Sequence, residues 1–257
     1  MTTGRDRRRA AVVVAAAAAF LTACTDQGTP SATTPAPAPT VTTAPTTTTT
    51  TTTAAARPFP YQPLWPFTDA AQAAEWQESH RTGGHAPWHL DPEATALAFT
   101  TDHLGFTGID QVLATDVDGD EAHVTVGFRV PEAAPGTAAV LHLARLGAGD
   151  DAPWEVVGTR DTTLSLTQPR YGAAVSSPIT AGGRITGVDE SIRVQVLGPG
   201  GLLGESCCLP AGGENTPWTT TVTYRGATGT ALTVVASTGG HVTDVERFAI
   251  TGVRPAG

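Results

Sequence analysis

The sequence predicts a small α+β module followed by an all-β sandwich, both carried behind a disordered N-terminal tether. Three observations carry this. Residues 25–57 are almost entirely Thr, Pro and Ala, a composition that cannot build a core. Residues 58–165 show two capped helical stretches and then four strand-like runs. Residues 166–257 show no helical periodicity, only short β-rich runs with turn signals at intervals of about ten residues.

The first nine residues hold four arginines, and an apolar run over residues 10–20 follows them. This is the layout of a secretory signal. The run falls short of the about 20 residues that a membrane-spanning helix needs. It ends in Leu21-Thr22-Ala23-Cys24, which resembles the lipobox of bacterial lipoproteins. The resemblance implies a signal peptide over residues 1–23 and diacylation of Cys24 with chains such as palmitate, as the first mature residue. The alternative is an ordinary secretory peptide cut at an Ala-x-Ala-like site, with Cys24 a stray thiol. Two acyl chains give the stable anchoring that one does not.

From Cys24 to residue 57 the chain forms the tether, with eight consecutive threonines at 46–53. In the polyproline limit of ~3.1 Å per residue it reaches on the order of 100 Å. It is either an unmodified spacer or an O-glycosylated stalk.

The whole chain carries 15 basic and 24 acidic residues, a net charge of −9. Loss of residues 1–23 removes four basic and one acidic residue, leaving 11 against 23, or −12. Every basic residue is arginine, a bias that goes with a GC-rich, actinobacterial genome. An acidic chain without a basic patch excludes nucleic acid and anionic lipid as electrostatic partners. The lipid, not charge, has to hold the protein at the membrane.

In the first module (58–165), Thr68 or Asp69 can cap a helix that runs to about His80, and Gly83-Gly84 breaks it. Asp91-Pro92-Glu93 starts a second helix, an N-cap with proline at the first helical position, which runs to about Leu104. Strand-like runs follow at 110–115, 122–130, 138–145 and 154–159, each bounded by Gly, Pro or Asp.

The second module (166–257) is preceded by a short run at 164–166. It holds further runs at 179–180, 191–197, 219–224, 231–237 and 247–253. Ser191-Ile192-Arg193-Val194-Gln195-Val196 alternates polar and apolar, as a half-buried strand does. Three parts of this half resemble the immunoglobulin-like domain of bacterial spore-germination proteins. They are Val175-Ser176-Ser177-Pro178-Ile179 followed by Ala181-Gly182-Gly183, then the strand at 192–196, then Pro217-Trp218 leading into 219–224. The step Gly187-Val188-Asp189-Glu190 lacks the aromatic residue of the family pattern. The resemblance implies an immunoglobulin-like sandwich that binds or assembles in the cell envelope, with no catalysis.

Several groups of residues are candidates for chemistry. Asp116-Val117-Asp118-Gly119-Asp120 has the carboxylates that open a calcium loop, but Glu121 and Gly127 stand where that loop needs glycine and a bidentate glutamate. Its Asp-Gly step reads as a hairpin turn. His80, His85 and His89 are close enough in sequence to suggest zinc, yet the Gly83-Gly84 and Pro87 interruptions make a solvated loop the better reading. No Gly-x-Ser-x-Gly occurs, and the absence of lysine closes the Ser-x-x-Lys route. Thr238-Gly239-Gly240-His241 reads as a hairpin or bulge between the last two strands. The tryptophans 65, 76, 88, 154 and 218 read as core anchors, with Trp65 and Trp88, beside prolines, the candidates for an exposed binding surface. No metal or cofactor is implied.

With Cys24 lipidated, Cys207 and Cys208 are the remaining thiols, in an oxidising compartment. Neighbouring Cα atoms are about 3.8 Å apart, below the usual disulfide span. A vicinal disulfide in a loop or hairpin tip is the favoured reading, and two reduced cysteines on opposite faces of a strand the other. The sequence as a whole reads as an extracytoplasmic, membrane-anchored envelope lipoprotein. Its expected role is non-catalytic binding or scaffolding, with an envelope protein or glycan as partner. The competing reading is an envelope hydrolase or accessory acting on peptidoglycan or glycan, with a cleft between the modules and acids such as Asp189, Glu190, Asp244 and Glu246. A solute-binding component is disfavoured for want of two larger lobes.

Overall fold

Side-chain caps decide where the chain first becomes regular. The computed structural model describes residues 58–256, except 228 and 230 and the side chains of 188–190. The expected signal peptide, Cys24 and tether therefore lie outside the described residues, as do the side chains of Asp189 and Glu190. Asp69 accepts hydrogen bonds from the N–H groups of Ala71 and Gln72, 2.9 Å each, and opens helix α1, Ala70–Gly83. Gly84 closes it at φ +66°, a conformation that glycine adopts without the Cβ penalty. Asp91 caps α2, Pro92–Ala98, with Pro92 in the first turn. The expected extension to Leu104 is present as a π-type turn, Phe99–His103, closed by Leu104 N donating to Phe99 O at 2.9 Å.

The four expected strands after the helices form an antiparallel meander. They are β1 (Gln111–Asp118), β2 (Glu121–Phe128), β3 (Gly136–Arg145) and β4 (Trp154–Arg160), hydrogen-bonded in that order. Asp118 pairs with Glu121, so Gly119 and Asp120 are a two-residue hairpin turn. Gly119, at φ +59°, takes the first turn position, where a left-handed backbone favours glycine. The candidate calcium loop is this turn.

The C-terminal half forms a second sheet from β5 (Ala174–Val175), β6 (Ile179–Gly198), β7 (Gly201–Val222), β8 (Leu232–Thr238) and β9 (Arg247–Pro255). Its order is β5-β9-β8-β6-β7, antiparallel except where β5 runs parallel to β9. Two expectations need correction here. The runs at 179–180 and 191–197 are one strand, and the Gly/Pro-rich stretch 201–218 is strand, not loop. The physical reason is position. β7 lies at the sheet edge, where proline is tolerated if its missing N–H faces outward, and bulges absorb the irregular steps. The run at 164–166 is not a strand, although Leu164 bridges to Ile185.

Strands make up 48% of the described residues and helices 15%, so the described part is mainly β. The halves on either side of residue 165 share an apolar cluster. Phe99, Leu141, Leu143 and Trp154 belong to it, together with Leu197, Val235, Phe248 and Ile250 of the second sheet. The other side of the second sheet packs a separate cluster around Ile192, Val194, Trp218 and Val234. β8 is buried along its whole length, and its only polar residues are the small hydroxyl ones Thr233, Ser237 and Thr238. The described residues form one compact unit.

Candidate functional site

The alternation of β6 turns Ile192, Val194 and Val196 into the core and leaves Ser191, Arg193 and Gln195 on the opposite face, where all three line a cleft of about 460 Å³. On one side Arg193 pairs with Ser237 of β8. On the other side the register slips. Ile192 faces Leu209 and Val194 faces Ser206, so Arg193 alone stands opposite both Cys207 and Cys208. The cysteine pair is a β-bulge.

In a regular strand, neighbours point to opposite faces. The extra residue breaks that alternation, and both cysteines are exposed and line the cleft. In the structure they are disulfide-bonded to each other. Their expected place in a loop or hairpin tip is corrected, since the tip of the β6–β7 hairpin is at 199–200 and the pair lies mid-strand. Nothing in the sequence distinguishes such a bulge from a loop, because both are rich in Gly and Pro.

The third wall is the loop joining β8 to β9. Gly239 has no room for a side chain: a Cβ there would sit 2.6 Å from Glu246 N and 2.8 Å from Asp244 O. Glu246 Oε1 accepts hydrogen bonds from the N–H groups of His241 and Val242, 2.6 Å each. Burial pushes the Glu246 carboxyl up, but the backbone donors of Val242, His241 and Thr243 outweigh it and hold it below the usual range. Glu246 is thus a loop clamp and not an available acid. Asp244, two residues before it, faces the cleft. Opposite lie Leu104, Gly105 and Phe106, and Phe106 packs edge-on against Phe248 with ring centroids 5.4 Å apart.

Among the described residues, Ser191, Gln195, Ser237 and Asp244 make no side-chain hydrogen bond within the protein. Arg193 has a loose ion pair with Glu205 at 3.9 Å, both side chains about half exposed. The cleft therefore presents donors and acceptors that the fold itself does not use.

A second cleft, about 440 Å³, lies where β4 meets β9 and is lined by Tyr61, His142, Thr159, Arg170, Tyr171 and Ile250, among others. Most of its polar groups are engaged, although the side chains of Arg170 and Thr251 make no hydrogen bond within the protein. Tyr61 donates to Glu121 Oε1 at 2.6 Å, and His142 Nε2 lies 3.0 Å from Glu121 Oε2. These bonds hold the Glu121 carboxyl below its usual range, the Tyr61 bond first, and the same bond raises Tyr61. Tyr171 accepts from Gln62 N at 2.6 Å, and burial pushes its phenol up to about 12. Thr159 accepts from Ile250 N at 2.9 Å.

The remaining candidates fall as follows. Trp65 and Trp88 are half-buried and stacked on each other, centroids 5.5 Å apart, and Trp65 packs on the main core. They are not an open aromatic surface. His89 is buried against Phe67 and Trp76, and burial, with His85 second, lowers it to about 4. His80 stacks on Trp76. Instead of a solvated histidine loop, the chain tucks two of the three against aromatic rings. No group of three or more His, Cys, Asp or Glu among the described residues is placed to hold a metal.

Sequence reasoning missed the Tyr61–Glu121–His142 chain and the stacking of His123 on His142, 4.7 Å apart. The two histidines are direct cross-strand partners. The available signal was Glu121-x-His123 on one strand face, but its partner depended on the register of the β2–β3 hairpin.

Fold and site together define a mainly β protein with an unspent polar cleft floored by a vicinal disulfide. No family model matches the chain, and no curated protein matches it.

Proposed function

We propose that the protein is a cell-envelope lipoprotein, anchored through acylated Cys24 and held off the membrane by residues 24–57, whose folded part binds a ligand without catalysis. In this reading residues 166–257 are an immunoglobulin-like sandwich, which the strands of that half, with no helix among its described residues, support. The observation that carries the binding role is the disulfide cleft, where four polar side chains converge without partners inside the protein. Small-molecule sites have this concave form, with a few convergent polar groups.

The hydrolase reading needs two carboxyls within about 5–10 Å. Among the described side chains, which leave out Asp189 and Glu190, the cleft lining contributes one, Asp244, and Glu246 is occupied by backbone N–H groups. Binding through an apolar patch has less support. The exposed large apolar residues Val117, Tyr171, Leu202 and Val242 come from separate elements, as scattered surface apolar residues commonly do.

The test uses the tagged full chain in an actinobacterial host. Cys24→Ala is expected to move the protein from the membrane pellet to the soluble fraction. Crosslinking and recovery should enrich an envelope component over a tether-only control, and Ser191→Arg, which blocks the cleft, should lose it. Equal recovery with Ser191→Arg and the parent chain would remove the cleft from the function.

A further inference from the structure

The chemistry of the disulfide cleft narrows its ligand, an inference that rests on the binding role proposed above. Among the described residues the lining carries one cation, Arg193, and one carboxylate, Asp244. Arg193 has Glu205 beside it as well. A phosphate or carboxylate ligand would find a single arginine already flanked by acids, where anion sites gather several donors. A wholly apolar ligand would leave the cleft's serines, amide and charges unpaired and desolvated, which is costly. The balance that remains is a neutral molecule rich in both donors and acceptors.

An extended peptide meets that description too, but it binds chiefly through main-chain hydrogen bonds to an open strand edge. Arg193 and Gln195 of β6 and Ser237 of β8 lie on interior strands, where β6 pairs with both β7 and β8 over residues 193–197 and β8 pairs with β9. The cysteines lie on the edge strand β7, but there the bulge breaks the regular ladder that an added strand would extend. A peptide lying across β6 and β8 would have only side chains to bond.

The lining also has two characters. Ser191, Gln195, Ser237 and Asp244 offer hydrogen bonds, while Leu104, Phe106 and the Cys207–Cys208 disulfide offer apolar, polarizable surface. Divalent sulfur has no hydrogen to donate and accepts weakly, so an exposed disulfide favours C–H over O–H neighbours. A pyranose ring has a matching division, with C–H groups across its face and hydroxyls around its edge.

We propose that the cleft is a binding site for an uncharged saccharide of the cell envelope. A ring face lies on the bulged disulfide and the edge of Phe106, and hydroxyls bond to Gln195, Asp244 and the two serines. The disulfide is the platform, and its function here involves no redox step.

The experiment is calorimetric titration of the purified full chain, in detergent, with the trisaccharides of N-acetylglucosamine, mannose and galactose. A neutral tripeptide and inorganic phosphate serve as the other ligand classes. At least one trisaccharide should bind, with Gln195→Ala and Asp244→Ala each weakening it at least about tenfold while leaving the melting temperature unchanged. Cys207→Ser/Cys208→Ser should weaken it further. Should that variant misfold, the two surface substitutions still decide the question. Failure of all three sugars, or equal affinity in both surface variants, overturns the saccharide site. Binding of the tripeptide or phosphate that the same variants abolish would overturn the saccharide and keep the cleft as a binding site. Retention of recovery from the envelope by Ser191→Arg is the separate result that removes the cleft itself.

Discussion

The two clefts are almost equal in volume, about 460 and 440 Å³, and opposite in construction. In the cleft beside β4, Tyr61 and His142 bond to the Glu121 carboxylate, and Tyr171 and Thr159 bond to backbone N–H groups. In the disulfide cleft, four polar side chains bond to nothing else in the protein. The difference teaches that concavity alone does not mark a site. The second cleft is a seam, in which residues 61 and 62 are fastened to the meander and to Tyr171. The first is a surface whose polar groups form no bonds inside the protein, which is the arrangement the proposed binding role requires.

The comparison can be broken most forcefully through the wall that the two regions share. Phe248 is buried in the main cluster and supports Phe106 at the rim of the disulfide cleft. Phe248→Ala removes a large buried ring, an expected loss of about 3–5 kcal/mol. Because Phe248 of the second sheet packs in one cluster with Leu141 and Trp154 of the meander, unfolding monitored by fluorescence and by far-ultraviolet dichroism should remain a single coincident transition. Two separated transitions would show that the clefts sit on independently stable units.

The seam has its own signature in pH. Glu155 of β4 is fully buried, accepts from Phe67 N at 3.0 Å, and leaves Oε1 without a partner. Burial pushes its carboxyl well above the ordinary range, against the backbone donors. The native state therefore keeps a proton that the unfolded chain loses, and stability falls as pH rises from the usual carboxyl range toward the raised value. His89 and His103, both lowered by burial to about 4, act with the opposite sign: they add stability as pH rises from about 4 to about 6.5. Glu155→Gln removes only the first slope, and denaturant titrations at pH 5 and 8 should show the variant gaining stability relative to the parent at the higher pH. An unchanged pH profile would mean that the carboxyl is solvated.

How far these features could be read from sequence depended on how local they are. Asp69 and Asp91 announce their helices within three residues, and the Asp118-Gly119 step announces its hairpin, so caps, turns and the meander were legible. The long β7 was not. Gly204, Pro210 and Gly212-Gly213 are loop residues by propensity, and only the pairing with β6 makes them strand. The site was half legible. Ser191-x-Arg193-x-Gln195 showed a polar strand face, but not that Phe106, 85 residues before Ser191, and the 239–246 loop close over it. Glu246 and Asp244 were grouped as acids, and only the fold separates the clamp from the cleft residue.

Within the seam, Tyr61→Phe deletes the hydroxyl that donates to Glu121 and little else. The bond is charge-assisted but partly exposed, so about 1 kcal/mol of stability is the expected loss, measured by urea denaturation. The Glu121 carboxyl should titrate closer to its ordinary range, since the largest influence lowering it is gone. A loss near zero would mean that solvent replaces this bond fully.

The smallest expected effect is the sharpest test. Gln195 lies on the polar face of β6 with no side-chain partner inside the protein, so Gln195→Ala should change stability by less than about 0.5 kcal/mol. The same urea titration that registers Tyr61→Phe would barely register this one. A near-neutral Gln195→Ala is what the proposed binding site requires of a residue whose contacts lie outside the chain. If Gln195→Ala instead costs as much as Tyr61→Phe, the disulfide cleft is a second seam, held by water-bridged bonds, and the contrast between the two regions disappears.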